Sequence, residues 1–428
     1  MKQILFAGLF ILFVSCSETS TFKDNEVVDV PFELQTGYGP FYAGFSSIGG
    51  REPDPESPWA KTKVEMAGLP GWEQQVVDRI WFDGHQFAYQ NYKQGNLDEG
   101  FFNELISGWN INLEDESLSE EPIKCFTHLV SGKDESGANI YKIDLDNDLD
   151  FSNDEVFHPS PIIWDKLDSL FQYAHRVQGE TVYQNEVVQI EVPVMVLETE
   201  NGSLLHNIAL HGKSSFLDTT FHISNGFTND LAFRGAASII LGDEGMNKSM
   251  ETIELNEFIT INDNLFQHLG IDFNRRMLKL KKMPADTVLY SSQVGFAAKP
   301  FDAINFQTGD AISLNDYQGK YLYLEFWGTW CGPCIAELPN LQAAYEETSR
   351  DQIDFLGVAE DRPKALSKFL EEKQLPWQQI LADQENDLVN LYGIRAFPTS
   401  FLIDQDGRIV AKNLRGSALT DTLKHYLN

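Results

Sequence analysis

The chain has 428 residues, enough for about three compact units of about 150 residues each, and its 42% hydrophobic content is ample for packed cores. Lys and Arg number 32 against 64 Asp and Glu, a formal charge of -32. That excess repels phosphate backbones and anionic membrane surfaces and excludes nucleic acid as a partner.

The chain opens with Lys2, an apolar run over residues 4–14 and then Ser15-Cys16. The run is too short to span a bilayer as a permanent helix and reads as a targeting signal. A small residue followed by Cys at the end of such a run resembles the lipobox of bacterial lipoproteins. That resemblance implies a signal peptide over 1–16, lipidation at Cys16 and a lipid anchor to the membrane, with the body on the periplasmic side of the cell envelope. An ordinary cleaved signal with an incidental cysteine gives the same side. Residues 17–30, polar and acidic, read as a tether. Residues 31–178 are rich in aromatics and acids without a clean period, and read as a mixed N-terminal domain of unassigned role. Over 179–290 the β-branched alternation of Val182, Val188, Ile190, Val192, Val194 and Val196, then Ile208, Leu210, Ile259 and Ile261, predicts a β-rich domain. After Pro284 the pattern predicts strands at 321–327, 353–358, 399–403 and 409–412. Helices are predicted at 332–346 and 363–372, near 386–392 and at the C-terminus. Strand alternates with helix and the last two strands pair through Asp406-Gly407, which gives a mixed sheet flanked by helices.

The cysteines are unevenly spread: Cys16 in the signal, Cys125 alone and Cys331 with Cys334 as a close pair. A disulfide scaffold would distribute pairs over the chain, so the close pair points to redox chemistry. Trp330-Cys331-Gly332-Pro333-Cys334 follows the apolar strand 321–327 and opens a helix. At a helix N-terminus the first thiol meets unpaired N–H groups and the positive end of the dipole, so its thiolate is favoured and its pKa falls below the free value of about 8.5. Cys331 is the expected nucleophile and Cys334, one turn later and more buried, the expected resolving thiol. A zinc site would need two further ligands, covalent haem would need His where Ile335 stands, and a structural disulfide has no use for Trp330 or for Gly332-Pro333. Cys125 reads as a buried core thiol.

The same stretch resembles thioredoxins and, through Cys334-Ile335-Ala336-Glu337-Leu338-Pro339 and Gly319-Lys320, the TlpA/ResA-type thiol-disulfide reductases of bacterial envelopes. The segment from Val358 through Leu375-Pro376-Trp377 looks like the strand-helix insertion of that group. The likeness covers about the last third of the chain. It implies a thioredoxin-like domain over 295–428, and so a multidomain α+β chain in which this α/β domain follows the β-rich and mixed domains. It further implies a cis-proline at Pro398, with Phe397 and Pro398, together with Trp330, Gly332 and Pro333, forming the substrate-binding surface. Glu325 falls where thioredoxins carry a buried acid that helps deprotonate the resolving thiol, and Glu337 is the candidate for redox tuning. The reaction expected is reduction of disulfide-containing envelope proteins. A membrane electron donor would recharge the dithiol, and no cofactor is required.

Two other readings keep the redox domain accessory or reassign it. One is an envelope binding or scaffold lipoprotein built on residues 31–290. The other is a thiol peroxidase, although Gly328 stands where peroxiredoxins place Thr.

Two further constellations stand out. Asp144, Asp146, Asp148, Asp150 and Glu155 resemble a calcium loop of the EF-hand kind, although Leu149 replaces its turn glycine. Phe216-Leu217-Asp218-Thr219-Thr220 and Leu269-Gly270-Ile271-Asp272-Phe273 faintly resemble retropepsin-like aspartic peptidases, as an inactive relative, since Thr220 replaces the required glycine.

Overall fold

A computed structural model describes residues 22–427 except 42–43, 50–55, 110, 115–116, 165–169, 225–230, 232–236, 243–251, 286 and 384. The signal peptide and Cys16 lie outside the described residues.

Strand β1 (Tyr321–Trp327) lies at the centre of the C-terminal sheet. It pairs in parallel with β2 (Ile353–Ala359), which pairs in parallel with β3 (Gln378–Leu381). On its other side β1 meets β4 (Thr399–Ile403) antiparallel, and β4 meets β5 (Ile409–Lys412). Helices α1 (Gly332–Glu347), α2 (Pro363–Lys373), α3 (Leu388–Leu391) and α4 (Gly416–Leu427) complete the expected alternation. The period-2 rule divides β1 cleanly. Tyr323 and Trp327 join a core with Cys331, Cys334, Leu338, Leu366, Leu370 and Leu419, while Leu322, Leu324 and Phe326 face a second core with Val358, Ile380 and Phe401. Glu325 falls on the first of these faces, under the helix that carries the cysteines. Strand β3 escapes the sequence reading because its four residues, Gln378-Gln379-Ile380-Leu381, offer no apolar alternation.

N-terminal to this sheet the chain is rich in strands whose partners are far apart in sequence. Val27–Pro31 pairs with Met277–Lys282, and Glu33–Thr36 with Leu210–Lys213. The end of the stretch read as a tether is therefore a sheet strand, with Val30 and Phe32 buried against Phe221, Phe266, Leu278 and Leu280. The division at 178/179 is also crossed: Ser46–Ile48 pairs with Leu204, Leu205 and His206, and the strand His175–Tyr183 itself straddles the boundary. A three-stranded sheet, Glu73–Trp81, Phe126–Lys133 and Asn139–Ile143, accompanies helices Gly84–Lys93 and Glu99–Trp109. Cys125, fully buried, is a core thiol beside Phe87 and Ile123.

The peptidase-like motif finds a different use. Phe216 pairs with Thr219, so Leu217 and Asp218 are the two central residues of a hairpin turn, with φ of 51° and 59°. Two residues in the left-handed region are what a tight hairpin requires. Asp272 is bound elsewhere, to Lys279 at 3.4 Å and Arg275 at 3.9 Å. Neither aspartate is placed as a member of a proton-sharing pair.

Candidate active site

Strand β1 ends at Trp327, and three residues later Cys331 occupies the N-cap of α1. Its Sγ accepts the backbone N–H of Cys334 at 3.2 Å, taking up one of the donors that a helix start leaves orphaned. Pro333, in the first turn, sacrifices an N–H that had no intrahelical partner. Cys331 and Cys334 form a disulfide with sulfurs 1.99 Å apart. They are 4% and 1% exposed, while Gly332 and Pro333 between them face solvent.

Trp330 is 61% exposed yet fixed in place. Its indole N–H donates to the Glu360 carbonyl at 2.8 Å, and its ring meets that of Phe397 edge-on at 5.4 Å. Gly328 makes room for it, because a Cβ there would lie 2.6 Å from the indole nitrogen. The Phe397–Pro398 peptide is cis, as the family resemblance implies. An Nη of Arg415 donates to the Pro398 carbonyl. Gly332, Pro333, Trp330 and Phe397 thus flank the disulfide as an apolar, solvent-facing rim.

Beneath the rim lies Glu325, 4% exposed. Burial pushes its carboxyl up to about 8; the charge of Glu337 adds to the rise and Arg415 opposes it. Glu337 is also buried, with one oxygen accepting the Gly416 N–H at 2.7 Å and the other the Asn340 amide at 3.0 Å. It ties the start of α1 to the start of α4. Arg415 is the residue that the sequence reading missed here: it lies 17 positions after Pro398 and carries no motif of its own.

The acidic loop is partly assembled. Oxygens of Asp144, Asp146 and Asp148 lie within 4.8 Å of one another. Fully buried Asp144 accepts the N–H groups of Asp148 and Leu149, each at 3.0 Å. Leu149 adopts φ 67°, so the turn is made without the glycine. Asp150 and Glu155 do not join the group: Asp150 turns to the Ser152 N–H at 2.9 Å and Glu155 faces solvent. Asp154, which was not singled out, lies near Asp144 and Asp146 without joining the group. One of its oxygens accepts the Leu145 N–H at 3.2 Å, and burial, with Asp144 and Asp146 nearby, raises it to about 6. Its other oxygen and one of Asp146 are buried without a partner.

A vicinal cysteine pair at a helix start, above a buried acid and beside a cis-proline, defines a thioredoxin-fold thiol-disulfide oxidoreductase. The AhpC/TSA family profile matches residues 294–412. The ResA thiol-disulfide oxidoreductase of Geobacillus thermodenitrificans is 36% identical over 135 residues, 31% of this chain and 76% of its own length. That of Bacillus thuringiensis is 30% identical over 136 residues, 32% of this chain and 77% of its own length. A solved thioredoxin domain of a Bacteroides vulgatus thiol-disulfide oxidoreductase is 34% identical, covering 32% of this chain and 99% of its own with a TM-score of 0.31. Through its C-terminal third the chain belongs to the ResA-like thiol-disulfide oxidoreductases, and its activity is thiol-disulfide exchange on disulfide-containing proteins.

Proposed function

We propose that the chain is a reductase in which Cys331 attacks and Cys334 resolves. The supporting observation is the Cys334 N–H on the Cys331 sulfur at 3.2 Å, a hydrogen bond that favours the thiolate once the pair is reduced. The Cys331 thiolate attacks a partner's disulfide; a mixed disulfide forms and one partner sulfur leaves as thiolate. Glu325, ionised, takes the proton of Cys334. The Cys334 thiolate then attacks the Cys331 sulfur and the second partner sulfur departs. Two electrons pass to the partner, and the Cys331–Cys334 disulfide remains. A dithiol donor in the membrane would return them by the reverse exchange. Trp330, Gly332, Pro333 and the edge at Phe397–Pro398 would seat the partner's backbone, a use of main-chain pairing common in peptide recognition. Glu337 would tune the couple by holding a negative charge beside Glu325. Cys334→Ser supplies the test: with a disulfide-bonded protein it should accumulate a mixed disulfide at Cys331, and its failure to do so at any pH would remove Cys331 as the nucleophile.

The setting of this reaction is part of the proposal. The run 4–16 supports export and lipidation at Cys16 on the periplasmic side of the envelope. Residues 295–428 would act as the redox unit and residues 27–290 as the unit that presents it to partners. Calcium is proposed at Asp144, Asp146 and Asp148, supported by their grouped oxygens and by the buried Asp146 oxygen without a partner. Those residues supply hard carboxylate oxygens of the kind calcium prefers. Titration of the full chain with calcium in a calorimeter checks it; no heat up to millimolar calcium removes it.

A further inference from the structure

Sheet register places four residues side by side beneath α1. Ser400 on β4 pairs with Glu325 on β1, Glu325 with Gly357 on β2, and Gly357 with Gln379 on β3. Residues paired across neighbouring strands share a face. The row therefore crosses the face otherwise covered by Tyr323, Trp327, Phe355, Ala359, Trp377 and Leu402.

Gly357 shapes this row. A Cβ there would lie 2.1 Å from the Gln379 Oε1 and 2.8 Å from its Nε2, so the amide occupies the space above the glycine, on the sheet face that carries Glu325. The orientation of that amide is fixed chemically. The Trp327 indole N–H donates to Gln379 Oε1 at 3.0 Å, and an indole nitrogen can only donate, so the oxygen must face it and the NH2 must face away. Gln379 is fully buried, and its Nε2 has no partner among the described residues. Across the glycine, the Glu325 carboxylate receives no hydrogen bond that any described residue supplies. A fully buried donor without a partner and, on the far side of the intervening glycine strand, a carboxylate to which no described residue donates form an arrangement that native interiors resolve with an ordered water.

We propose that Gln379 is a positioning residue of the active site: its Nε2, reaching over Gly357, holds one water that donates to the Glu325 carboxylate and stabilises the ionised base. The inference rests on the reading of Glu325 as the base for Cys334, and it names what lets an acid so deeply buried ionise at all. A hydrogen bond to the charged form lowers a carboxyl pKa, and here it opposes burial and the Glu337 charge. Arg415, from the start of α4, acts in the same sense, while Tyr323 on β1 and the thiols of α1 are the other titratable groups facing the carboxyl.

The test follows Glu325 directly, by carboxyl-carbon NMR of the full chain through a pH titration. In Gln379→Met, which keeps the volume and loses the donor, the Glu325 midpoint should rise by about one unit, so that about tenfold less of it is ionised at neutral pH. Gly357→Ala, whose methyl group displaces the amide, should shift it in the same direction, and the double variant should go no further than Gln379→Met alone. In the parent protein the Gln379 side-chain N–H protons should show a cross-peak to a slowly exchanging water. An unchanged midpoint in Gln379→Met with the chain folded, or the absence of that cross-peak, overturns the proposal. Failure of the base reading would look different: Glu325→Gln would leave the pH limb of disulfide exchange in place, wherever Glu325 itself titrates.

Discussion

Glu325 beneath α1 and Asp144 in the loop at 144–154 are both acids whose proton affinity burial raises, and they differ in the hydrogen bonds they collect. Asp144 is enclosed completely, but its two oxygens collect backbone N–H groups from Asp148 and Leu149, and its neighbours are carboxylates in a loop. Glu325 is enclosed by aromatic and aliphatic side chains and collects no direct hydrogen bond, so its proton affinity rises to about 8. The first arrangement consumes its carboxylate in holding a turn. The second leaves a carboxyl that gains and loses its proton near neutral pH, at the cost of stability, as the proposed role of base requires.

That contrast can be broken at several points. Cys331→Ser should abolish exchange, a loss of about 10³-fold or more, because no second thiol can replace the nucleophile; reduction of a disulfide-bonded test protein measures it. Glu325→Gln should slow resolution by about 10²-fold at pH 7, seen as persistence of the mixed disulfide in quenched-flow samples. The same site should run the other way in stability. Its folded pKa lies near 8 against 4.5 for the ordinary group, so the folded state keeps a proton that the unfolded chain releases. Stability is then highest below about pH 4.5 and falls as pH rises through the window to about 8. Glu325→Leu should therefore gain on the order of 2–4 kcal/mol over the parent at pH 8 and little at pH 4, by denaturant unfolding. Asp144→Ala should do the reverse and cost about 1–3 kcal/mol, since it strands two N–H groups. The smallest effect belongs to the rim: Trp330→Ala should raise KM for a protein disulfide about 3–10-fold with little change in kcat, because the exposed ring is proposed to seat the partner and takes no part in the exchange of sulfurs.

Local features of the C-terminal third were legible because each depends on neighbours in sequence. The strand before the cysteines, the helix they open and the hairpin at Asp406-Gly407 all reduce to patterns within about ten residues. The acid at Glu325 and the cis bond at Pro398 came through family resemblance, since a proline alone does not choose its isomer. Strand β3 was not legible, and with it went Gln379, whose place in the site exists only through register with Gly357 and Glu325. Arg415 was hidden for the same reason. The N-terminal sheets were the least legible, because Val27–Pro31 takes its partner some 250 residues later, at Met277–Lys282, and no composition shift marks such a pairing. In the acidic loop Asp144, Asp146 and Asp148 come together as their spacing suggests, whereas Asp150 and Glu155 turn to backbone and solvent and Asp154 bonds the Leu145 N–H, placements that depend on how the loop closes.

The redox poise of the cysteine couple decides the direction in which electrons flow. Equilibrating the full chain in glutathione or dithiothreitol buffers and trapping free thiols gives the reduction potential of Cys331/Cys334. A value near or below about -250 mV, with two thiols titrating together, is the result expected of a reductase, whereas one near about -120 mV would make the protein an oxidant and contradict the proposed direction of electron flow.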